Sequence, residues 1–393
     1  MVDADPSEPI RELLPAGLAE APLPPLDAPP SQAELFARLR LARSRRVGPV
    51  TYRRLMAAHG TAADALDALP GMAAAAGVEG CALAPEGAVR GEIRAARKAG
   101  ARLLLLGAPG YPERLAQVSG APPVLWAQGD PGLARGPTVA IVGTRNASSL
   151  ALRMARTLAR ELSEAGVAIV SGLARGVDAA AHEAALPRTL AVHAGGLDRP
   201  YPPENLSLAA RIAAEGCALS ERPFGLAPQA RDFPRRNRIV SGLAQAVVVV
   251  EAAARSGSMI TARDALDQGR EVLAVPGHPM DGRASGCNAL LRDGAALVRG
   301  ADDVLAVLEA LREVGAAQAR GTAAVPDPAP DRAAPEAATL RARLLALLSP
   351  TPVAEDQLCR DLGAAPRAVA SILSELELEG LVVRKPGGGL ATT

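Results

Sequence analysis

The chain changes its hydrophobic rhythm twice. From Gln32 to about Gly80, apolar positions recur at spacings of three and four, as in AELFARLRLARSRR and the stretch 50–58, and predict helices. Gly48-Pro49 separates the first two, and Leu69-Pro70-Gly71 is expected to end the next. From about Arg102, short apolar runs alternate with helical stretches. Strands are predicted at 103–106, 124–127, 139–142, 168–170, 190–192, 218–219, 246–250, 272–275 and 296–298. Each later run leads into a glycine-bearing turn and then a helix. Such alternation implies right-handed crossovers and an α/β architecture, a mostly parallel sheet with helices on both faces. Ligands of such sheets sit at the carboxyl ends of the strands.

The second change comes near Val314, where the sequence turns to Ala, Pro and Gly and predicts a semi-stiff linker over 314–338. From 339 to 393 the pattern gives a helix to Leu348, a second from Pro352 to Leu362, and a third from Pro366 to Glu379. Leu381–Arg384, a PGGG turn and Leu390 follow as a hairpin. Three helices and a two-stranded wing make a winged-helix module. Residues 1–30, rich in Pro, Ala and acidic groups, are expected to be a flexible tail. Residues 31–100 are expected to form a helical module, and 101–313 the α/β domain.

Composition narrows the function. The net charge is +1, so any nucleic-acid contact must come from local clustering. Lys98 and Lys385 are the only lysines; a GC-rich genome accounts for that, yet arginine also grips phosphate bidentately. The helical module holds Arg38, Arg40, Arg43, Arg45, Arg46, Arg53 and Arg54 in its first thirty residues, either a solvated face or an auxiliary nucleic-acid contact. Four cysteines lie far apart with no C-x-x-C pair, so neither a metal site nor a disulfide framework is expected and a reducing cytoplasm fits. The N-terminus lacks a signal-peptide layout, and no apolar run has membrane-spanning length.

The densest chemistry is at RDFPRRNRIVSGL, where Arg231, Arg235, Arg236 and Arg238 fall just before the most apolar strand. Pro234 can begin a helix, which would set Arg235, Arg236, Asn237 and Arg238 in its first turn or so. Cations there oppose the helix dipole, which makes sense if an anion lies between them. The alternative is an internal ion-pair network with Glu221 or Glu251. Three strands end in glycine turns that together suggest one cleft. TVAIVGTRNASS offers Gly143, Thr144 and Arg145. SGLARGVDAAAH offers Gly172, Arg175 and a helix-capping Asp178. AGGLDRPYPPEN offers Gly195, Gly196, Tyr201 and Asn205. Tyr201 and Phe233 can stack on bases or plug the core. The apolar strand closes on Glu251 and opens into Ser256-Gly257-Ser258. No G-x-G-x-x-G, Walker lysine or catalytic-triad spacing is present, and His182, His193 and His278 fall in different loops. No cofactor is expected, and Glu251 is read as orienting the arginines.

These residues closely resemble the bacterial DNA-processing protein A (DprA/Smf) family. The match runs through VGTR, SGLARGVDAAAH, GGLDRPYPPEN, FPRRNRIVSGL, VEAAARSGSMITA, AVPG and GCNALLRDGA in one order. The resemblance implies an extended Rossmann-like domain, with a SAM-like helical module before it and a winged helix after. It implies a cytoplasmic, non-enzymatic homodimer that binds single-stranded DNA without sequence preference and loads the recombinase RecA during natural transformation. The pocket would include Arg145, the loop from Tyr201 to Asn205, and the arginines of FPRRNR. Some members carry a lysine where Pro203 and Glu204 stand here, and Cys287 replaces a commoner Ser or Thr. The alternatives are a nucleotide-hydrolysing enzyme acting through Glu251, Arg255 and Ser258, and a winged-helix transcription regulator. Against the latter, the third helix sets Arg367 against Glu375, Glu377 and Glu379, poor chemistry for docking on DNA.

Overall fold

The computed structural model describes residues 30–322 apart from 79, then 333–348, 353–362, 369, 372, 373, 376, 381–384 and 389–392. The expected tail at 1–29 lies outside the described residues. Two units separate, residues 1–315 and 316–393.

The first unit opens with four helices: α1 (Gln32–Arg43), α2 (Pro49–His59), α3 (Ala62–Ala75) and α4 (Glu86–Lys98). Helix α3 does not end at Pro70 as its sequence predicts. Proline removes only one helical hydrogen bond, and the stripe Ala62, Ala65, Leu66, Leu69 and Ala73 is buried on both sides of it. Three arginines of this module, Arg38, Arg43 and Arg53, are turned inward, while Arg45 is exposed. Arg38 donates to Leu106 O at 3.2 Å, Arg53 to Ala116 O at 2.7 Å and Val118 O at 3.0 Å, and Arg43 to Glu221 O at 3.0 Å and to Glu92. They tie the helices to the sheet that follows. Beside them Leu39 and Val89 share one apolar cluster with Leu105, Val124 and Trp126.

All nine predicted strands are present, within about two residues at each end. They are β1 (Arg102–Leu105), β2 (Val124–Gly129), β3 (Thr138–Val142), β4 (Ala168–Ser171), β5 (Thr189–Val192), β6 (Cys217–Ser220), β7 (Ala246–Val249), β8 (Glu271–Ala274) and β9 (Ala296–Leu297). A short helix, α5 (Glu113–Ala116), lies between β1 and β2. The later helices are α6 (Ser149–Glu164), α7 (Val177–Ala185), α8 (Leu206–Glu215), α9 (Asp232–Leu243), α10 (Gly257–Asp267), α11 (Ser285–Arg292) and α12 (Ala301–Thr322). The sheet order is β1-β2-β6-β5-β4-β3-β7-β8-β9, parallel from β6 to β9, with β1–β2 and β2–β6 antiparallel.

Alternation along the strands builds two cores. Val139, Ile141, Ile169, Val248 and Leu273 face α6, α7 and α12, whereas Ala140, Val142, Val170, Val192 and Val249 face α9 and α10. Burial on both faces is why these strands are continuous apolar runs. From β3 the chain proceeds to β4 on one side, while β7, paired with the other edge of β3, proceeds to β8 away from it. The carboxyl ends of β3 and β7 therefore diverge and leave a crevice, the usual ligand position of such folds.

Helix α12 continues to Thr322, beyond the point where composition predicts a linker, because its apolar positions keep a helical spacing to Leu308 and nothing after that breaks it. In the second unit α13 (Ala333–Leu347) and α14 (Glu355–Leu362) pack with a three-stranded antiparallel sheet. Its order is β10 (Val353–Ala354), β12 (Gly389–Thr392), β11 (Val382–Arg384), the winged-helix wing with one added strand. The third helix expected at 366–379 falls mostly outside the described residues.

Candidate nucleic-acid interface

The turn after β3 is fixed by the neighbouring turn after β7. Thr144 N–H donates to Glu251 O at 2.7 Å, and Ser258 Oγ donates to Gly143 O at 2.7 Å. The Glu251 carboxylate accepts from Ser148 N at 3.1 Å and from Ser148 Oγ at 2.6 Å, while Ser148 caps α6 by accepting from Ala151 N. Glu251 thus orients the loop that carries Arg145, not the arginines of α9 as the sequence suggests. A side chain at Gly143 would lie 2.6 Å from Val177, so the turn needs glycine to sit against α7.

The loop after β4 forms the floor. Leu173 adopts a left-handed φ of 58°, costly for a branched side chain, and two polar side chains hold the loop there. Asp178 accepts from the amides of Gly172 at 3.1 Å and Ala174 at 3.3 Å, and Asn205 donates to Leu173 O at 2.8 Å. Asn205 is buried by this work and is a brace, not the DNA contact expected of it. Arg236, 6% exposed, lays its guanidinium over Gly172: a Cβ there would fall 1.0 Å from its Nη1. Asp178 lies 4.0 Å from the same nitrogen. Burial lowers the Arg236 pKa against the pull of Asp178, and burial raises that of Asp178 against Arg236 and the two amides.

Under this pair sit two histidines that look unrelated in sequence. His182 Nδ1 lies 2.6 Å from Thr189 Oγ1, whose proton goes to Ile169 O at 3.0 Å, so Nδ1 carries the hydrogen and Nε2 is bare. Burial depresses the pKa of His182 to about 3, helped by His193 and Arg236, and that of His193 to about 4, helped by Arg236. Both are neutral at physiological pH, which leaves Arg236 as the cation of the floor. The only hint in the sequence is position: His193 directly follows β5, and His182 lies one residue beyond Ala181, which packs the core under β4.

Over the floor stands an aromatic wall. Phe233 and Tyr201 meet edge to face at 5.6 Å between centroids, and the Arg145 guanidinium lies 5.2 Å from the Phe233 ring. Tyr201 is 49% exposed and neither ring fills a core cluster. The cavity between these parts measures about 650 Å³. Gly143, Thr144, Arg145, Asp178, Phe233, Arg236, Asn237, Ser256, Gly257 and Ser258 all border it. A smaller hollow alongside is bounded by Gly172, Arg175 and Tyr201. These predicted residues come together.

Others do not. Arg238 turns away to Glu221 at 2.5 Å and to Gly120 O, so that arginine belongs to the ion-pair network considered as the alternative. Gly195 and Gly196 admit the 223–228 loop, since added side chains would meet Leu226 O at 2.8 Å and Pro223 O at 2.5 Å; they shape that loop and border none of these hollows. Arg235 is exposed and outside the cavity lining. Arg175 pairs at 3.5 Å with Glu204. Among the described residues no group of three or more His, Cys, Asp or Glu is placed to hold a metal ion.

Three family models match the chain in order: a DprA-like N-terminal HHH domain at 32–95, DNA recombination-mediator protein A at 102–309, and a DprA winged helix domain at 328–388. The chain is 37% identical over 311 residues to Protein Smf of Synechocystis, spanning 71% of this chain and 77% of that one. It is 42% identical over 216 residues to DNA processing protein DprA of Bacillus subtilis, spanning 54% and 73%. The structure of DNA processing protein A from Streptococcus pneumoniae superposes with a TM-score of 0.58 at 32% identity, covering 71% of this chain and 98% of that one. That of the Helicobacter pylori protein, described for its single-stranded DNA binding mode, gives 0.50 at 33% identity, covering 53% and 95%.

Proposed function

This chain belongs to the DNA recombination-mediator protein A (DprA/Smf) family, and from that premise we propose that it binds single-stranded DNA without sequence preference and delivers it to RecA during uptake and recombination. The observation that carries the reading is a fixed cation, Arg236, that borders both the cavity at half-buried Phe233 and the adjoining hollow at exposed Tyr201. Arg236 and Arg145 supply charge for the phosphates, and Tyr201 and Phe233 offer faces to bases. Stacking contributes about 1–3 kcal/mol per base and every base has a face, so such a pocket reads no sequence. Main-chain amides at the start of α10, beside Ser256 and Gly257, add donors for a phosphate.

Within this reading the protein acts as a cytoplasmic homodimer and performs no chemistry on the DNA. Nucleotide hydrolysis would require Glu251 as a free base, and its carboxylate is occupied by Ser148. The winged helix serves a protein contact or a regulatory role, in keeping with its acidic third helix.

Fluorescence anisotropy with single- and double-stranded oligonucleotides over a salt series tests the proposal. Single strands should bind far more tightly, with affinity falling steeply as salt rises. Arg145→Ala should weaken binding equally for all base compositions, by about 1–3 kcal/mol, since it removes both a phosphate partner and the ring's cation. Equal affinity for duplex would refute the reading.

A further inference from the structure

A second concavity of about 490 Å³ lies between α6, α7 and α8, and nothing in the binding chemistry above uses it. Its charged walls are Arg145, Arg156 of α6 and Arg211 of α8, against Glu183 and Glu204. Glu204 is already matched by Arg175 at 3.5 Å. Arg211 has only an exposed partner one turn on, Glu215 at 3.6 Å, and Arg156 forms no ion pair among the described residues. The cleft thus sets three guanidinium groups against two carboxylates, one of which is engaged by Arg175, and leaves Arg156 without an ion pair among the described residues. Arg145 borders this cleft, the main cavity and the hollow beside Tyr201, so all three meet at one side chain.

The two ends of this path differ in kind. The main cavity has rings; the lining of the second cleft has none, its apolar part being small or aliphatic, as at Ala147, Leu152 and Leu208. A surface of exposed guanidinium groups in excess of carboxylates, without aromatic faces, suits a sugar-phosphate backbone and gives bases nothing to stack on.

We propose that the cleft between α6 and α8 is a second subsite for the same DNA strand, in which Arg156 and Arg211 hold the backbone of nucleotides that have passed over Arg145. The proposal rests on the single-strand reading above. It makes the site two-part: bases are gripped on one side of Arg145 and only phosphates on the other.

The test is a length series of oligo-dT measured by anisotropy. The wild-type protein should gain affinity when the strand grows past the length that fills the main cavity. Arg156→Ala combined with Arg211→Ala should abolish that gain and leave the shortest bound oligomer unaffected; both side chains lie on exposed helix faces, and unchanged thermal melting checks the fold. Loss of two phosphate contacts should make the salt slope shallower by about 1.4, so that wild type loses about sevenfold more affinity than the variant between about 50 and about 200 mM salt. Arg156→Lys with Arg211→Lys should retain the gain, and so should an oligomer whose added nucleotides are abasic. A full gain in the alanine variant, or no gain from abasic extension, overturns the subsite. Failure of the wild type to bind even short strands overturns the single-strand reading instead.

Discussion

Arg236, Asp178, His182 and His193 form a buried polar group in which, among the described residues, His182 Nδ1 has a hydrogen-bond partner and His182 Nε2 and both ring nitrogens of His193 have none. Burial holds both histidines neutral, with pKa values near 3 and 4 instead of 6.5. The unfolded chain therefore binds more protons than the folded one below about pH 6.5. Their contribution is full above that value and is lost as the pH falls toward 4. Thermal melting should show a marked drop over this window, and His193→Asn should flatten it. A melting temperature equally steep in pH for the variant would show that other groups carry the acid sensitivity.

At the level of elements, the two diverging turns after β3 and β7 act as one piece because Glu251 holds the cap of α6. Glu251→Ala should cost about 1–2 kcal/mol of stability, measured by denaturant titration, through loss of a buried acceptor and its capping serine. It should also weaken single-strand binding although it removes no positive charge, because Arg145 loses its fixed loop. Wild-type affinity in this variant would show that the loop needs no such support. The strands were readable in the sequence since burial on both sheet faces leaves an unbroken apolar run, and so were the turn glycines and the arginine-rich start of α9. What was hidden depends on which side chain meets which across long separations. Nothing near Arg238 announces Glu221, nothing near Asn205 announces the carbonyl of Leu173, and the two histidines meet only once β4 and β5 pair. Local rules also misjudged Pro70, where the buried stripe of α3 outweighs one lost hydrogen bond.

On the scale of the first unit, the arginine-rich helices are bound to the sheet by polar ties as well as by an apolar cluster. Arg43 is central: it bonds Glu92 at 2.8 Å and Glu221 O at 3.0 Å, and Glu92 in turn accepts from Trp126 Nε1 at 2.6 Å. Arg43→Ala leaves a buried carboxylate without its cation and should cost about 3 kcal/mol. Limited proteolysis should then cut between α4 and β1, near Gly100, sooner than in the wild type; unchanged cleavage and melting would show that the apolar cluster suffices. Arg38, Arg43 and Arg53 are committed to internal contacts, so the proposed function relies on the carboxyl edge of the sheet. No helix among the described residues is long and apolar enough to cross a membrane.

The guanidinium lying over Gly172 has a bearing on how a strand comes and goes. Its position is set during folding, by the space that glycine leaves and by Asp178, so no side-chain freedom remains to be surrendered when DNA arrives. Its counter-charge is a carboxylate of the protein, so a phosphate meeting it shares the guanidinium with Asp178, while the ions condensed on the strand are still released. The larger part of the salt sensitivity then belongs to the rim arginines, whose charge is not shared with a buried carboxylate, and a smaller part to the floor. A strand can slip from the rim and still be held at the floor.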